Sequence, residues 1–192
     1  MKKSLFSILG LAALLCTIVL TSCAQKYSAE DIKGTWVNTD TTIEQADGQK
    51  FEDKLVTTYE FRDGTFTQTL EEFVDGEMSM KVRVIGTYTY DEPDTVFEGD
   101  TKAVGVISYE YDIESAQIKF ADGIDKKTQE SVTDDIINKF REQNLTTKQF
   151  KSGALNEKDK EMFYGLMVVS VDENQMVLEN ADGTTATFTK EK

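Results

Sequence analysis

The dipeptide Asp-Gly recurs along this chain and limits the folds that the chain can adopt. It occurs at residues 47–48, 63–64, 75–76, 122–123 and 182–183. Both residues tolerate a positive φ, so the dipeptide favours the tight turns that join antiparallel strands. Between the turns lie runs rich in Val, Ile, Thr, Tyr and Phe, which pack well on a pleated surface. The pattern predicts a mainly β, antiparallel protein, with strands near residues 33–39, 54–62, 65–74, 78–90, 103–111, 116–121, 162–171, 175–180 and 184–190.

Apolar and polar residues alternate along the predicted strands, which indicates one buried face and one wet face. In the longest strand, alternate residues from Met78 to Val84, and then Tyr88 and Tyr90, would share the buried face. Gly86 interrupts this strand, and its missing side chain permits a sharp bend. Eight or nine strands joined in sequence by short hairpins favour an up-and-down barrel. A two-sheet sandwich is the alternative.

One segment, residues 129–143, departs from the alternating pattern. Its apolar residues recur at the spacing of one helix face, and they are Val132, Ile136, Ile137 and Phe140. Asp134 and Asp135 would lie in the first turn and Lys139 and Arg141 in the last, where they suit the helix dipole. An amphipathic helix is therefore predicted before the last three strands, followed by a polar stretch over residues 144–160. Because the next strand is apolar on both faces, the helix would pack on that strand from outside or cover one end of the barrel.

The first 22 residues have the layout of an export signal. Lys2 and Lys3 are positive, residues 5–20 are almost all apolar, and small residues precede Cys23. The tetrapeptide at residues 20–23, Leu-Thr-Ser-Cys, resembles the lipobox of bacterial lipoproteins. That resemblance implies that Cys23 carries a diacylglyceryl group, that the signal is cut before it, and that the new amino terminus is acylated. An ordinary secretory signal and an uncleaved anchor are the alternatives.

Cleavage before Cys23 would leave 170 of the 192 residues, a length typical of one domain. We expect residues 23–32 to form a short linker and residues 33–192 to form the barrel domain. No cysteine pair would remain for a disulfide, since Cys16 lies in the signal and Cys23 carries lipid. The mature charge would be −16, because the signal removes two of the 21 basic residues while all 35 acidic ones remain. Such a surface repels phosphate, so nucleic acid is excluded as a partner and acyl chains would hold the protein at the membrane.

The residues that enzymes commonly use are scarce in this chain. It contains no histidine, which removes the commonest general base near neutral pH and the commonest zinc ligand. We find no nucleophile elbow, phosphate-binding glycine loop or calcium loop. Paired carboxylates such as Asp134 with Asp135, or Glu71 with Glu72, are expected by chance in so acidic a chain. The sequence therefore predicts a noncatalytic protein with no catalytic residue, no metal and no cofactor.

Four motifs in order resemble lipocalin-like domains of bacterial lipoproteins across residues 30–190. They are GTW at residues 34–36, YEFRDGTFT at 59–67, GTYTYD at 86–91 and VVSVDENQMVLENADGTTATFTK at 168–190. Ser28 would cap a single helical turn before the first motif. The resemblance implies that Gly34 and Trp36 begin the first strand, and that Trp36 packs across the closed end of the barrel under a basic side chain, here Lys190. The chain departs from secreted lipocalins in having no disulfide and in placing its helix before the last three strands.

A barrel of this size is either filled by side chains or wide enough for one small ligand. By alternation, the rings that would line such a cavity are Tyr59, Phe61, Tyr88, Tyr90, Tyr109 and Tyr111. We therefore expect a lipid-anchored envelope protein that binds a small apolar ligand, with packing of the core as the simpler role of each ring. The alternative is a solid-core module that contacts another envelope protein through its loops or helix. Ala24, rather than Asp, follows Cys23, which favours the outer membrane, with the domain facing the periplasm or the outside.

Overall fold

A computed structural model describes residues 27–46, 49–92, 103–152, 166–179 and 184–192. Within these residues the chain forms eight strands and one helix, and the strands pair in sequence order into a closed antiparallel barrel. This confirms the predicted barrel and the position of the helix before the last three strands. The elements are β1 (Gly34–Ala46), β2 (Gln49–Arg62), β3 (Thr65–Val74), β4 (Glu77–Asp91), β5 (Gly105–Phe120), α1 (Lys126–Lys151), β6 (Leu166–Val171), β7 (Gln175–Glu179) and β8 (Thr185–Lys190).

Two Asp-Gly pairs form hairpin turns as predicted. Gly64 has a φ of 67° between β2 and β3, and Asp75 and Gly76 have φ values of 51° and 83° between β3 and β4. The pair at 122–123 instead joins β5 to α1, with a φ of 92° at Gly123. A hairpin there was a wrong prediction, since the helix follows the turn directly. The pairs at 47–48 and 182–183 lie outside the described residues.

The two strands predicted at 103–111 and 116–121 are a single strand with a bulge. In the pairing of β4 with β5, Arg83 lies opposite Gln117 while Ile85 lies opposite Asp112, so residues 113–116 have no partner residue. The Ser115 hydroxyl fixes this bulge by accepting a hydrogen bond from the Ile85 amide at 2.9 Å and donating one to the Asp112 carbonyl at 2.6 Å. Bulges bend a strand and increase its twist. The gap in the sequence pattern therefore marks a bend in one strand.

A second register shift, on β4, moves Met78 to the outer face. Glu72 lies opposite Met80, but Phe73 lies opposite Met78, so Ser79 is the extra residue. Cross-strand partners share a face, which places Met78 with Phe73 on the outside, and the Met78 side chain is exposed. The predicted inward face of Met78 was therefore wrong, whereas Val82, Val84 and Tyr88 are buried.

The barrel has a closed end and an open end. At the closed end β1 begins, β2 turns into β3, and β8 ends at Lys190. At the open end β1 to β5, each of 10 to 16 residues, extend past β6 to β8, which have only five or six. Strands β1 and β8 pair only through Trp36 with Lys190 and Val37 with Thr189. The wall is therefore complete near the closed end and incomplete near the open end.

Gly86 lies where neighbouring atoms of β3 and β5 come close to β4. A Cβ atom on residue 86 would overlap the Glu110 carbonyl oxygen and the ring of Phe66, which lies directly over the glycine. Glycine in a strand often marks such a close approach. The residue therefore allows an aromatic ring to occupy the barrel interior at this level.

The helix α1 crosses the edge of β5 from the inner to the outer side of the wall. The part of the helix up to Phe140 carries Ile136, Ile137 and Phe140 toward the core, and the centroid of the Phe140 ring lies 4.4 Å from that of Tyr111. Its second half places Lys148 and Lys151 within ion-pair distance of Glu110, at 4.0 and 3.3 Å. The predicted packing on the following strand was wrong, because the helix packs on β5. The expected cover of the interior holds for the part of the helix up to Phe140, whereas the rest lies on the outer side of β5 and not on β6.

Side chains of α1 form hydrogen bonds with backbone groups of β5 that would otherwise pair with a neighbouring strand. The Asn144 amide donates to the Tyr111 carbonyl at 2.8 Å, and its oxygen accepts from the Tyr111 amide at 2.7 Å. The Thr147 hydroxyl donates to the Tyr109 carbonyl at 3.0 Å. Strand β6 pairs with β5 only over Gly105–Ile107. The helix thus satisfies backbone groups that would cost free energy if buried unpaired.

The helix is longer at both ends than predicted. It begins after Asp125, whose carboxylate accepts hydrogen bonds from the Thr128 side chain and amide at 2.6 and 3.1 Å, and these bonds lower the Asp125 pKa. Asp134 and Asp135 therefore lie inside the helix and not in its first turn. The basic residues of the last turn are Lys148 and Lys151, not Lys139 and Arg141. The polar residues from 144 to 151, predicted to follow the helix, belong to it.

Candidate functional site

The closed half of the barrel interior is filled by aromatic rings. Inward-facing rings from β2 to β5 contact one another at centroid distances between 5.1 and 5.7 Å, in the pairs Tyr59–Phe61, Phe61–Tyr88, Phe66–Tyr109 and Tyr109–Tyr111. Most of these contacts are edge-to-face or tilted, the arrangements that aromatic pairs prefer. This half of the interior is a solid core.

A row of hydrogen bonds lies on the side of these rings that faces the open end. The Tyr111 hydroxyl donates to Oε1 of Gln68 at 2.7 Å, and Nε2 of Gln68 donates to the Tyr59 hydroxyl at 3.0 Å. All three side chains are buried. A buried amide and buried hydroxyls are tolerated because they satisfy one another. The row forms a polar layer between the rings and the open half.

Burial keeps these tyrosines neutral. Desolvation raises the pKa of Tyr109 to about 12 and raises the pKa values of Tyr59 and Tyr111 well above 10. Their hydroxyls therefore stay protonated near neutral pH and can donate or accept hydrogen bonds. As phenols they do not supply a general base there.

A recess of about 160 Å³ lies above the polar layer, toward the open end. It forms because inward-facing residues at this level are small on three strands, namely Asn38 on β1, Thr57 on β2 and Ala186 on β8. The Asn38 amide donates to the Thr187 carbonyl at 2.8 Å and so joins β1 to β8 just beyond their last paired residues. The other residues that line the recess are Tyr59, Gln68, Leu70, Leu178 and Phe188.

The structure separates the six rings that sequence analysis proposed as a ligand site. Tyr59 lines the recess. Four of the others pack in the closed half, and they are Phe61, Tyr88, Tyr109 and Tyr111. Tyr90 packs against Gly105, and its hydroxyl donates to the Val104 carbonyl at 3.3 Å. Among the remaining lining residues only Phe188 is aromatic. The others also alternate inward along their strands, but they are small, polar or aliphatic and gave no comparable signal in the sequence.

The residues proposed for barrel closure meet at the closed end. Trp36 is fully buried, and its indole N–H donates to the Ile32 carbonyl at 2.7 Å. Sequence analysis placed a basic side chain over this indole, and Lys190 Nζ lies 4.7 Å from the ring centroid. Gly34 has a φ of 123°, and a Cβ atom there would lie 2.7 Å from Cε of Lys190. The glycine thus leaves space for the lysine to reach the indole.

The segment before β1 seals this end as a hydrogen-bonded turn. The Ser28 hydroxyl accepts from the Glu30 amide at 3.3 Å, and the Asp31 carboxylate accepts from the Ser28 amide at 2.7 Å. This reciprocal pairing resembles a capping box, although residues 29–32 form a turn and not the predicted helical turn. Ile32, the last residue of the turn, is fully buried.

Replacing Trp36 with alanine is expected to lower the free energy of unfolding by about 4 kcal/mol, because it leaves a large cavity. The substitution also removes the donor to the Ile32 carbonyl. Urea unfolding followed by circular dichroism measures the loss. Val37→Ala, on the outer face of the same strand, is the control and is expected to cost under about 1 kcal/mol. Equal losses in the two variants would contradict a core sealed by the indole.

The described residues form neither a metal cluster nor a membrane-spanning helix. Across the residues that the structure describes, no three acidic or cysteine side chains are grouped so that they could hold a metal ion. Over the same residues, no helix has the length and apolar character needed to cross a membrane. Cys23, the proposed lipid attachment site, lies outside the described residues.

The chain matches no protein-family model, and no curated protein shows significant sequence similarity to it.

Proposed function

We propose that this protein is a noncatalytic lipoprotein of the bacterial cell envelope, anchored through acyl chains on Cys23. In this proposal its lipocalin-like barrel binds one small, mostly apolar ligand. The recess of about 160 Å³ between Asn38 and Phe188 carries the ligand-binding part. Support for the anchor comes from the export signal and the lipobox-like residues at 20–23. Outer-membrane location rests on Ala24, as argued from the sequence.

The size of the recess sets the size of the ligand. Pockets for drug-sized ligands usually exceed about 300 Å³, and this recess is smaller. An engineered cavity of about 150 Å³ is enough to bind benzene. The proposed ligand therefore places one ring or one short alkyl chain in the recess, and any larger part of it extends toward the open end.

The solid closed half favours a second candidate function. Aromatic rings fill that half completely enough that Phe66 lies over Gly86, as expected for a module whose interior only supports its surface. Such a module would bind an envelope protein through loops or α1, where Leu145 is exposed. The two candidates differ in whether the recess is ever occupied.

Filling the recess separates the two candidates. Ala186→Phe is expected to weaken the binding of toluene and 1-hexanol at least about tenfold and to raise Tm, because the new ring occupies the cavity. Isothermal titration calorimetry measures binding, and circular dichroism measures Tm. Thr187→Leu, the outward-facing neighbour, is the matched control and is expected to leave binding unchanged. If neither probe binds saturably to the wild-type chain, the ligand-binding proposal is wrong and the interaction module is favoured.

A further inference from the structure

On the described parts of β1 to β4, the charged side chains that face inward in the open half are acidic. Cross-strand register places Asp40, Asp53 and Glu72 on the same face as Leu55, which belongs to the inward set of β2. At the tip of the β3–β4 hairpin, Glu77 lies opposite Val74 on this face. The basic residues of these strands face outward, as shown by Lys81, which pairs with Glu71 at 2.7 Å, and Lys54, which lies over the Phe73 ring.

The helix places two more carboxylates on the inner side of the wall, toward the open end. Glu130 and Asp134 line a groove of about 410 Å³ whose wall on β5 consists of Ile118 and Phe120, both on the inner face. The groove also contains Lys126, but its Nζ lies 3.6 Å from Glu130. The net charge of the open half therefore remains negative.

Three of these carboxylates, on Asp40, Asp53 and Glu72, have no cation within ion-pair distance among the described residues. No ion pair reaches Asp40, Asp53 or Glu72 in that part of the chain, and Glu72 accepts a hydrogen bond from Ser79. Oδ1 of Asp53 is buried with no hydrogen-bond partner. A concave surface lined by one sign of charge concentrates counter-ions and oppositely charged ligands. A buried carboxylate oxygen that accepts no hydrogen bond is also stabilised when a positively charged group of a ligand donates one to it.

The geometry points to a ligand that carries a positively charged amine beside its apolar group. Asp40 and Glu72 lie two residues along their strands from Asn38 and Leu70 of the recess, which is roughly 7 Å. A ring or short chain in the recess would thus bring an attached ammonium group level with these carboxylates. This inference rests on the proposed function, and it adds the charge and the chemical class of the ligand.

Three six-carbon probes of different charge test the inference on the purified full chain. They are n-hexylamine, 1-hexanol and hexanoate, and titration calorimetry compares their affinities. The amine is expected to bind about tenfold more tightly than the alcohol, since two partly exposed carboxylates each contribute a modest attraction. Hexanoate is expected to bind most weakly. Added salt should reduce the preference for the amine, because it screens exposed charges.

Two double variants test whether the preference for the amine depends on the carboxylates near the recess. Asp40→Asn with Glu72→Gln is expected to bring the affinity for the amine down to that for the alcohol, while affinity for the alcohol stays the same. Glu173→Gln with Glu191→Gln changes the net charge equally but at the closed end, and it is expected to keep the preference. Circular dichroism verifies that both double variants fold.

The other possible results of these titrations distinguish a failure of the inference from a failure of the proposed function. Equal affinities for amine and alcohol in the wild-type chain would overturn the inference while the proposed ligand-binding function stands. Loss of the preference in the closed-end variant as well would overturn it too, because overall charge would then account for the effect. If none of the three probes binds, the proposed function fails, and the inference fails with it.

Discussion

Raising the pH from 10 to 12 is expected to remove more of this protein's stability than any single core substitution. The folded state raises the pKa of Tyr109 to about 12, and burial moves the pKa values of Tyr59 and Tyr111 in the same direction. The unfolded chain releases these protons near pH 10, so above that pH the unfolded state binds fewer protons and the free energy of unfolding falls. Below pH 10 these tyrosines are neutral in both the folded and the unfolded state, so they do not lower the free energy of unfolding there.

The size of the alkaline effect follows from Tyr59, Tyr109 and Tyr111, three of the four tyrosines that are buried among the described residues. Each one lowers the free energy of unfolding by about 1.4 kcal/mol per pH unit while it is ionised in the unfolded chain only. Three such groups lower it by about 4 kcal/mol per unit, which over two units approaches the total stability of about 5 to 15 kcal/mol typical of a domain. We therefore expect cooperative unfolding before pH 12.

Two measurements check this expectation. Circular dichroism follows unfolding, and the ultraviolet absorbance of phenolate counts ionised tyrosines, so the ionisation of the buried tyrosines should coincide with unfolding. Tyr109→Phe keeps the ring that packs on Phe66 and Tyr111 and is expected to reduce the slope by about 1.4 kcal/mol per pH unit. High salt is the control for charge repulsion, because it screens surface charge and leaves the burial of the phenols unchanged. If the phenolate absorbance that forms near pH 10 without unfolding is smaller in Tyr109→Phe than in the wild-type chain, the Tyr109 ring is open to solvent in the folded state.

The sequence was sufficient to predict the barrel because its local signals agree with one another. Asp75 and Gly76 both adopt the positive φ that the dipeptide permits. On either side of this turn the alternating residues reach Phe66 in β3 and Tyr88 in β4, and both are buried. Turn chemistry and alternation depend on residues close together in sequence, so one chain is enough to read them.

The sequence was enough to predict that a helix exists, but not to predict where the helix packs. Phe140 revealed an apolar helix face, yet the hydrogen bonds of Asn144 to both backbone groups of Tyr111 join residues 33 apart in sequence. An asparagine is also typical of helix ends and turns, so Asn144 indicated where a helix stops. Asn144 can bond to the backbone of β5 because β6 pairs only with the first residues of that strand. No local sequence pattern encodes this limited pairing.

The recess was not predictable for a related reason. Alternation identified the inward residues, and aromatic rings such as Tyr88 stood out among them. The cavity instead arises at the level where Asn38, Thr57 and Ala186 come together from β1, β2 and β8. Small residues on three strands leave a space only when the register brings them to one level, and β8 enters the sheet about 150 residues after β1. Long-range register of this kind depends on closure of the barrel.

The position of Tyr27 determines which end of the barrel the proposed anchor would hold near the membrane. Tyr27 lines a cleft with Lys190 at the closed end. Cys23 precedes it by four residues, which span at most about 14 Å even when extended. If Cys23 carries acyl chains, the closed end lies next to the membrane and the open end with its acidic lining faces away from it. A ligand would then reach the recess from the aqueous side.

Replacing Cys23 with alanine is expected to abolish both lipid attachment and membrane association. Each buried methylene contributes about 0.8 kcal/mol, so two or three acyl chains hold far more firmly than a single marginal one. The protein has no other proposed anchor, and its acidic surface is repelled by anionic head groups. Incorporation of radiolabelled palmitate and recovery in the membrane fraction measure the loss. Cys16→Ala, in the apolar part of the signal, is the matched control and should leave both unchanged. Labelling that persists in Cys23→Ala would show that lipid is attached elsewhere, and membrane recovery without any label would favour the uncleaved signal as the anchor.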